Sequence, residues 1–199
     1  MIDPHKHGLQ PYGCGCVLFR SPGVGRFYKH DSPYTYFTSK QLHLGEISLE
    51  CSRAGAAAVA LWATQKLLPL TPGGAFARGL AKGRAAALEL DRRLRQDGRF
   101  QPLAAGTPEL DIVVWKLDAK TRERASELAQ RTFVACAARD LHLALVQLPV
   151  AWFQSADEAA DGAGLVTCLR SVLMKPEHEA WLDRIWERWT AACAEVLGE

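Results

Sequence analysis

The chain begins with a lysine enclosed by residues that shape a tight loop, DPHKHG at residues 3–8, followed by PYGCG at residues 11–15. Pro4 restricts the backbone before Lys6, and Gly8 releases it two residues later. A primary amine set among imidazoles can act as a nucleophile toward an aldehyde, the reaction that forms a Schiff base. The stretch therefore predicts a functional lysine, although spacing and chemistry alone also fit a lysine in a polar loop.

The composition is that of a globular protein that can form a hydrophobic core, with 199 residues, 48% hydrophobic and 23% charged. The net charge of +2 and the mixing of basic with acidic residues argue against nucleic acid as the main partner. No run of eighteen apolar residues occurs, which argues against a membrane span. The six cysteines lack the pattern of a disulfide-bonded scaffold, so we expect reduced thiols and a cytoplasmic protein.

Hydrophobic periodicity predicts strands and loops over residues 1–48, then helices at 54–68 and 75–96, the first of them mostly buried. From about residue 100 it predicts a compact α/β unit of three strands and two helices. The strands are expected at 110–117, 141–148 and 165–174, and the helices at 121–139 and from Pro176 onward, with Trp181 in the core. Within the last strand, Arg170 is the only charge on an otherwise apolar face, and a buried cation needs a partner.

Four possible metal ligands stand close together near the N-terminus, namely His5, His7, Cys14 and Cys16. Zinc sites more often space their cysteines by two or more residues. The intervening glycines indicate turns instead, so we predict no metal site here.

Three segments resemble the group II pyridoxal-phosphate-dependent amino-acid decarboxylases, a family that includes glutamate, aromatic-amino-acid and tyrosine decarboxylases. They are residues 3–8, similar to the cofactor-lysine signature; SRAG at 52–55 running into ALW at 60–62; and TCLRSVLM at 167–174, similar to an arginine-bearing strand. The resemblance covers essentially the whole chain. It implies the C-terminal part of a fold type I α/β fold, with 1–72 ending the large domain, 73–98 bridging, and 99–199 forming the small domain.

The resemblance also implies roles for individual residues. Lys6 would form the Schiff base with pyridoxal 5′-phosphate (PLP), and His5 would contact the cofactor phosphate. Tyr34, on a loop that is mobile in the family, would return a proton to Cα after carbon dioxide leaves. Tyr36 is a close competitor for that role, and either tyrosine could instead simply pack the loop.

Arg170 would bind the substrate α-carboxylate, the alternative being a structural ion pair. Ser52, Arg53 and Gly55 would lie at the boundary of a homodimer.

The activity implied is decarboxylation of an L-amino acid to an amine and carbon dioxide. The family's cofactor lysine lies near mid-chain, so we expect this sequence to be a C-terminal half that is inactive alone. The histidine and aspartate that contact the pyridine ring in the family precede its lysine. Two alternatives remain open: an inactive truncated paralogue that dimerises with a longer partner, and another PLP-dependent reaction, a lyase or a transaminase.

Overall fold

The protein is described by a computed structural model that covers residues 1–29, 55–103, 106–153 and 164–198. It divides into two compact units, Met1–Leu70 and Thr71–Glu199. The helices and strands are α1 (Ala56–Leu67), α2 (Ala75–Gln96), β1 (Phe100–Pro102), β2 (Ile112–Leu117), α3 (Arg122–Ala137), β3 (Ala144–Pro149), β4 (Leu165–Val172) and α4 (His178–Leu197). Short 3-10 helices occur at Pro22–Phe27 and Val150–Phe153. None of the described helices is both long and apolar enough to cross a membrane.

In its described residues, the first unit contains the lysine-bearing loop, the 3-10 helix at Pro22–Phe27 and α1. Ile2 and Cys16 close the loop through two backbone hydrogen bonds of 2.8 and 2.9 Å. Helix α1 contains no buried residue, and Val59 and Trp62 are mostly exposed. The prediction of a mostly buried helix is therefore wrong, because the apolar side chains of α1 find too few neighbours in this unit.

The second unit is built on a four-stranded antiparallel sheet in the order β1-β2-β4-β3. Strand β4 is central and pairs along its length with β2 and β3. One face of the sheet packs against the helices, where Trp115 of β2 meets Trp189 of α4 edge-to-face at 5.1 Å between ring centroids. The other face carries a smaller apolar cluster formed by Val166, Cys168 and Phe153, together with Ala125 from the first turn of α3.

The structure departs from the predicted elements at three points. Strand β1 was not predicted, because it is only three residues long and owes its extended conformation to pairing with β2. Strand β3 begins at Ala144 rather than residue 141, because Asp140 adopts a left-handed conformation (φ 52°) and Leu141 still bonds back to Cys136. Trp181 is half exposed instead of lying in the core.

Helix α2 approaches the end of β4 closely at Gly83. A Cβ atom at this position would lie 2.7 Å from the backbone carbonyl oxygen of Leu173, closer than van der Waals contact allows. The absence of a side chain at Gly83 therefore sets the distance between α2 and the strand that carries Arg170.

We expect Gly83→Ala to destabilise the chain by about 1–3 kcal/mol, because the added methyl must push helix and strand apart. Gly79→Ala on the same helix is the matched control, since its Cβ would meet only the ring carbon Cγ of Pro176 at 3.3 Å. There the gain in helix propensity, up to about 1 kcal/mol, offsets the tight contact. Urea unfolding of both variants measures the difference, and equal stabilities would contradict this account of the packing.

Candidate functional site

The lysine lies in a compact turn defined by its own backbone. The Lys6 amide donates to the carbonyl of Asp3 at 3.0 Å, and the Gln10 amide donates to that of Pro4 at 3.1 Å. Leu9 adopts a left-handed conformation with φ 59°. A Cβ atom on Gly8 would lie 2.7 Å from Cα and O of Pro4, so only glycine allows the chain to return so closely past the proline.

Gln10 connects this turn to α1. Its side chain is only 8% exposed, and its Nε2 donates to the carbonyl of Gly8 at 3.0 Å and to Oγ1 of Thr64 at 2.7 Å. The Cys14 thiol adds a longer contact of 3.8 Å to the carbonyl of Ala57. The turn is therefore held against a helix rather than hanging free in a loop.

The Lys6 side chain points outward from the turn and is 61% exposed. Its Nζ forms an ion pair with Oδ2 of Asp3 at 2.9 Å, across an i,i+3 spacing that the turn imposes. The hydrogen bond from Lys6 holds the pKa of the Asp3 carboxyl below its usual value. The amine thus has one local acidic partner while staying accessible to a molecule in solution.

His5 is held on the inner side of the same turn by the carbonyl of Cys14. This one oxygen lies 3.1 Å from the His5 Nδ1 and also accepts the His5 backbone amide at 3.3 Å. Since a carbonyl can only accept, Nδ1 must carry a proton, and a neutral ring then leaves Nε2 unprotonated. The Tyr12 ring lies 5.4 Å from the imidazole, centroid to centroid.

Arg170 belongs to the second unit. It lies on β4 with Val114 of β2 and Ala144 of β3 as its cross-strand neighbours. Its Nε is buried and has no hydrogen-bond partner among the described residues, where no ion pair to Arg170 is present either. The structural ion pair considered from the sequence is thus absent from this part of the chain.

The structure brings His5 and Lys6 into one turn, whereas Tyr34, Tyr36, Ser52 and Arg53 lie outside the described residues. Gly55 immediately precedes α1. In the described part of the chain, no group of three or more His, Cys, Asp or Glu residues is arranged to hold a metal ion.

Sequence reasoning missed two contributors to this turn. Asp3 could have been found from its i,i+3 spacing to Lys6. The Cys14 carbonyl could not, because a backbone acceptor leaves no mark in the sequence.

The relatives that match this chain in sequence are amino-acid decarboxylases, as two examples show. L-tyrosine decarboxylase of Enterococcus faecium is 32% identical over 97 residues, which are 48% of this chain and 15% of that protein. A probable L-tyrosine/L-aspartate decarboxylase of Methanothermobacter thermautotrophicus is 33% identical over 116 residues, 57% of this chain and 28% of that protein. The chain thus spans less than a third of these relatives' length. No family model matches the chain.

Solved structures with the same fold are also decarboxylases of this kind. Tryptophan decarboxylase of Catharanthus roseus, in complex with L-tryptophan, matches with a TM-score of 0.62 and 12% identity, over 88% of this chain and 34% of that one. The TDC of Oryza sativa with PLP matches with a TM-score of 0.57 and 16% identity, over 76% and 29%. The predicted resemblance to group II PLP-dependent decarboxylases is confirmed, as is the predicted fold: the chain has the fold of a C-terminal part of these enzymes.

We expect Gly8→Ala to loosen the lysine turn, because its methyl group would overlap Pro4. Overpacking of this kind costs about 1–3 kcal/mol, enough to speed hydrogen exchange of the Gln10 amide by about tenfold or more. Gly15→Ala is the control, since a Cβ there meets nothing within 4 Å. Exchange rates from NMR measure both variants, and an unchanged Gln10 amide in Gly8→Ala would refute the close approach.

Proposed function

We propose that this chain contributes the cofactor lysine and the small domain to a PLP-dependent decarboxylase that converts an L-amino acid to an amine and carbon dioxide. The observation that carries the proposal is the turn itself, in which an accessible primary amine, Lys6, adjoins a carbonyl-oriented imidazole, His5. The aldehyde of PLP needs a primary amine such as that of Lys6, and its phosphate needs a hydrogen-bond donor such as His5. These two residues therefore fit PLP. When bound, PLP supplies an electron sink for the bond that breaks.

Lys6 would hold the cofactor through its amine. To act as a nucleophile, Nζ must first leave the Asp3 carboxylate and lose a proton. The pair is exposed, so this contact is weak and can be exchanged. Asp3 holds the Lys6 amine at the turn and leaves that amine accessible to solvent.

His5 would donate to the cofactor phosphate from Nε2. Because Nδ1 already gives its proton to the Cys14 carbonyl, Nε2 can donate only when the ring is an imidazolium. The charged form is also the stronger donor to phosphate.

Arg170 would bind the α-carboxylate of the amino acid, since its buried Nε needs an acceptor. Tyr34, with Tyr36 as the competitor, would return the proton to Cα as a general acid. The relatives' names direct the choice of first substrates to L-tyrosine and L-aspartate.

We further propose a cytoplasmic homodimer, in which residues 1–72 end the large domain and 73–98 form the bridging helix before the small domain at 99–199. Dimer formation would be supported by a doubled mass in sedimentation.

The first test is chemical labelling of the cofactor lysine. We expect PLP followed by borohydride to modify Lys6 ahead of the other lysines, as read by peptide mapping, and Lys6→Ala to abolish that label. Lys120→Ala is the control, because Lys120 is also exposed. Labelling spread evenly over the surface lysines would contradict the assignment.

The reaction itself is tested by the products formed from L-tyrosine and L-aspartate by the protein that contains this chain. An amine with release of carbon dioxide supports the decarboxylase. A keto acid would favour the transaminase alternative.

The second test concerns the His5 imidazole. The affinity ratio of PLP to pyridoxal, which lacks the phosphate, isolates the phosphate contact from the chemistry of Lys6. We expect this ratio to fall about five- to tenfold in His5→Phe, because the phenyl ring cannot donate a hydrogen bond to the phosphate.

His5→Asn is the matched control for this experiment, since its side-chain amide can still donate a hydrogen bond. Its ratio should stay closer to that of the wild type. A His5→Phe ratio equal to that of the wild type would show that His5 does not contact the phosphate.

A further inference from the structure

The sheet face that carries Arg170 also carries a second cation, Lys116. Lys116 pairs with Gln101 of β1, and it follows Trp115, which pairs with Leu169 of β4. It therefore stands beside Cys168, two residues along β4 from Arg170. Diagonal neighbours of this kind lie roughly 7–8 Å apart, which two long side chains can easily bridge.

Lys116 is half-buried, and burial is the main cause that lowers the pKa of its amine. The carboxylate of Asp118 opposes that effect from a distance. The Cys168 thiol provides no counter-charge, since burial raises its pKa to about 12. No hydrogen bond or ion pair to Lys116 occurs within residues 1–29, 55–103, 106–153 and 164–198.

Two cations thus share one sheet face, and neither has a bound anion in the described parts of the chain. The buried Nε of Arg170 has no acceptor among the residues that the structure describes, and the face around it is apolar, with Val114, Val146 and Phe153 in its cluster. Charges on such a surface are costly unless an anion compensates them. A carboxylate offers two oxygens and can accept from a guanidinium and an ammonium at once.

We propose that Lys116 and Arg170 together form a carboxylate-binding site on this face of the sheet, with Lys116 as its second cation. Where this carboxylate is the α-carboxylate of the amino-acid substrate, the inference rests on the proposed function. The amine product has lost that carboxylate and carries a positive charge, so the two cations would favour its release.

The experiment titrates the 199-residue chain with sodium acetate. Sodium chloride is reduced by the same amount as acetate is added, so that the ionic strength stays constant. The Nε–H of Arg170 is the NMR probe, because its burial slows exchange with water. We expect a saturable shift in the wild type, and an affinity for acetate about five- to tenfold lower in Lys116→Met. Lys116→Arg should restore most of the affinity.

Lys120→Met is the matched control, because Lys120 lies near in sequence but is exposed, and its affinity for acetate should equal that of the wild type. Thermal unfolding separates binding from folding: removing a half-buried charge should not lower the melting temperature. A shift that never saturates, or a Lys116→Met variant with wild-type affinity, would overturn the proposal. Binding of acetate requires neither PLP nor Lys6. The acetate titration and the lysine labelling can therefore fail independently of each other.

Discussion

Strand β4 is the constraint on which the second unit depends. It is hydrogen-bonded to β2 and β3 on both edges, and its side chains enter the helix-facing core on one face and a smaller cluster on the other. A residue on such a strand cannot relax away from its position without breaking paired backbone. Arg170 therefore presents its guanidinium where the sheet dictates, and Gly83 fixes how near α2 can come to the end of that strand.

The lysine turn, in contrast, is organised by contacts between residues that are close in sequence: most of those formed among the described residues lie between Ile2 and Cys16. Proline and glycine set the path, and the Cys14 carbonyl orients the imidazole of His5. Gln10 and Cys14 reach beyond the loop, to α1. Such local determination explains how a short loop can hold an amine and an imidazole in a defined arrangement.

The sheet depends on contacts between residues far apart in sequence, and the lysine turn on contacts between residues close together. This difference also explains what could be predicted from the sequence. The Lys6 turn was recognisable because its shape depends on residue types that stand side by side, and α2, α3 and α4 were recognisable from their periodicity. Strand β1 was missed because three residues carry no periodicity and depend on β2 for their conformation. Trp181 was misplaced because a helical face predicts which side is apolar but not where the neighbouring helix ends. Lys116 was overlooked because strand alternation shows its face only once the register with β4 is known.

Lys6 and Arg170 differ in the partner that each cation requires. The Lys6–Asp3 pair is exposed, and such pairs are weak, so an incoming group can displace the carboxylate at little cost. A buried donor without an acceptor costs about 1–3 kcal/mol, and more when it is charged, and within the described part of the chain the Nε of Arg170 is such a donor. The lysine is thus held reversibly, while an anion that binds at the arginine face would supply the acceptor that Nε lacks among the described residues. A reaction that consumes a carboxylate would use that asymmetry, because the ligand's charge strengthens binding before the bond breaks and no longer does so afterwards.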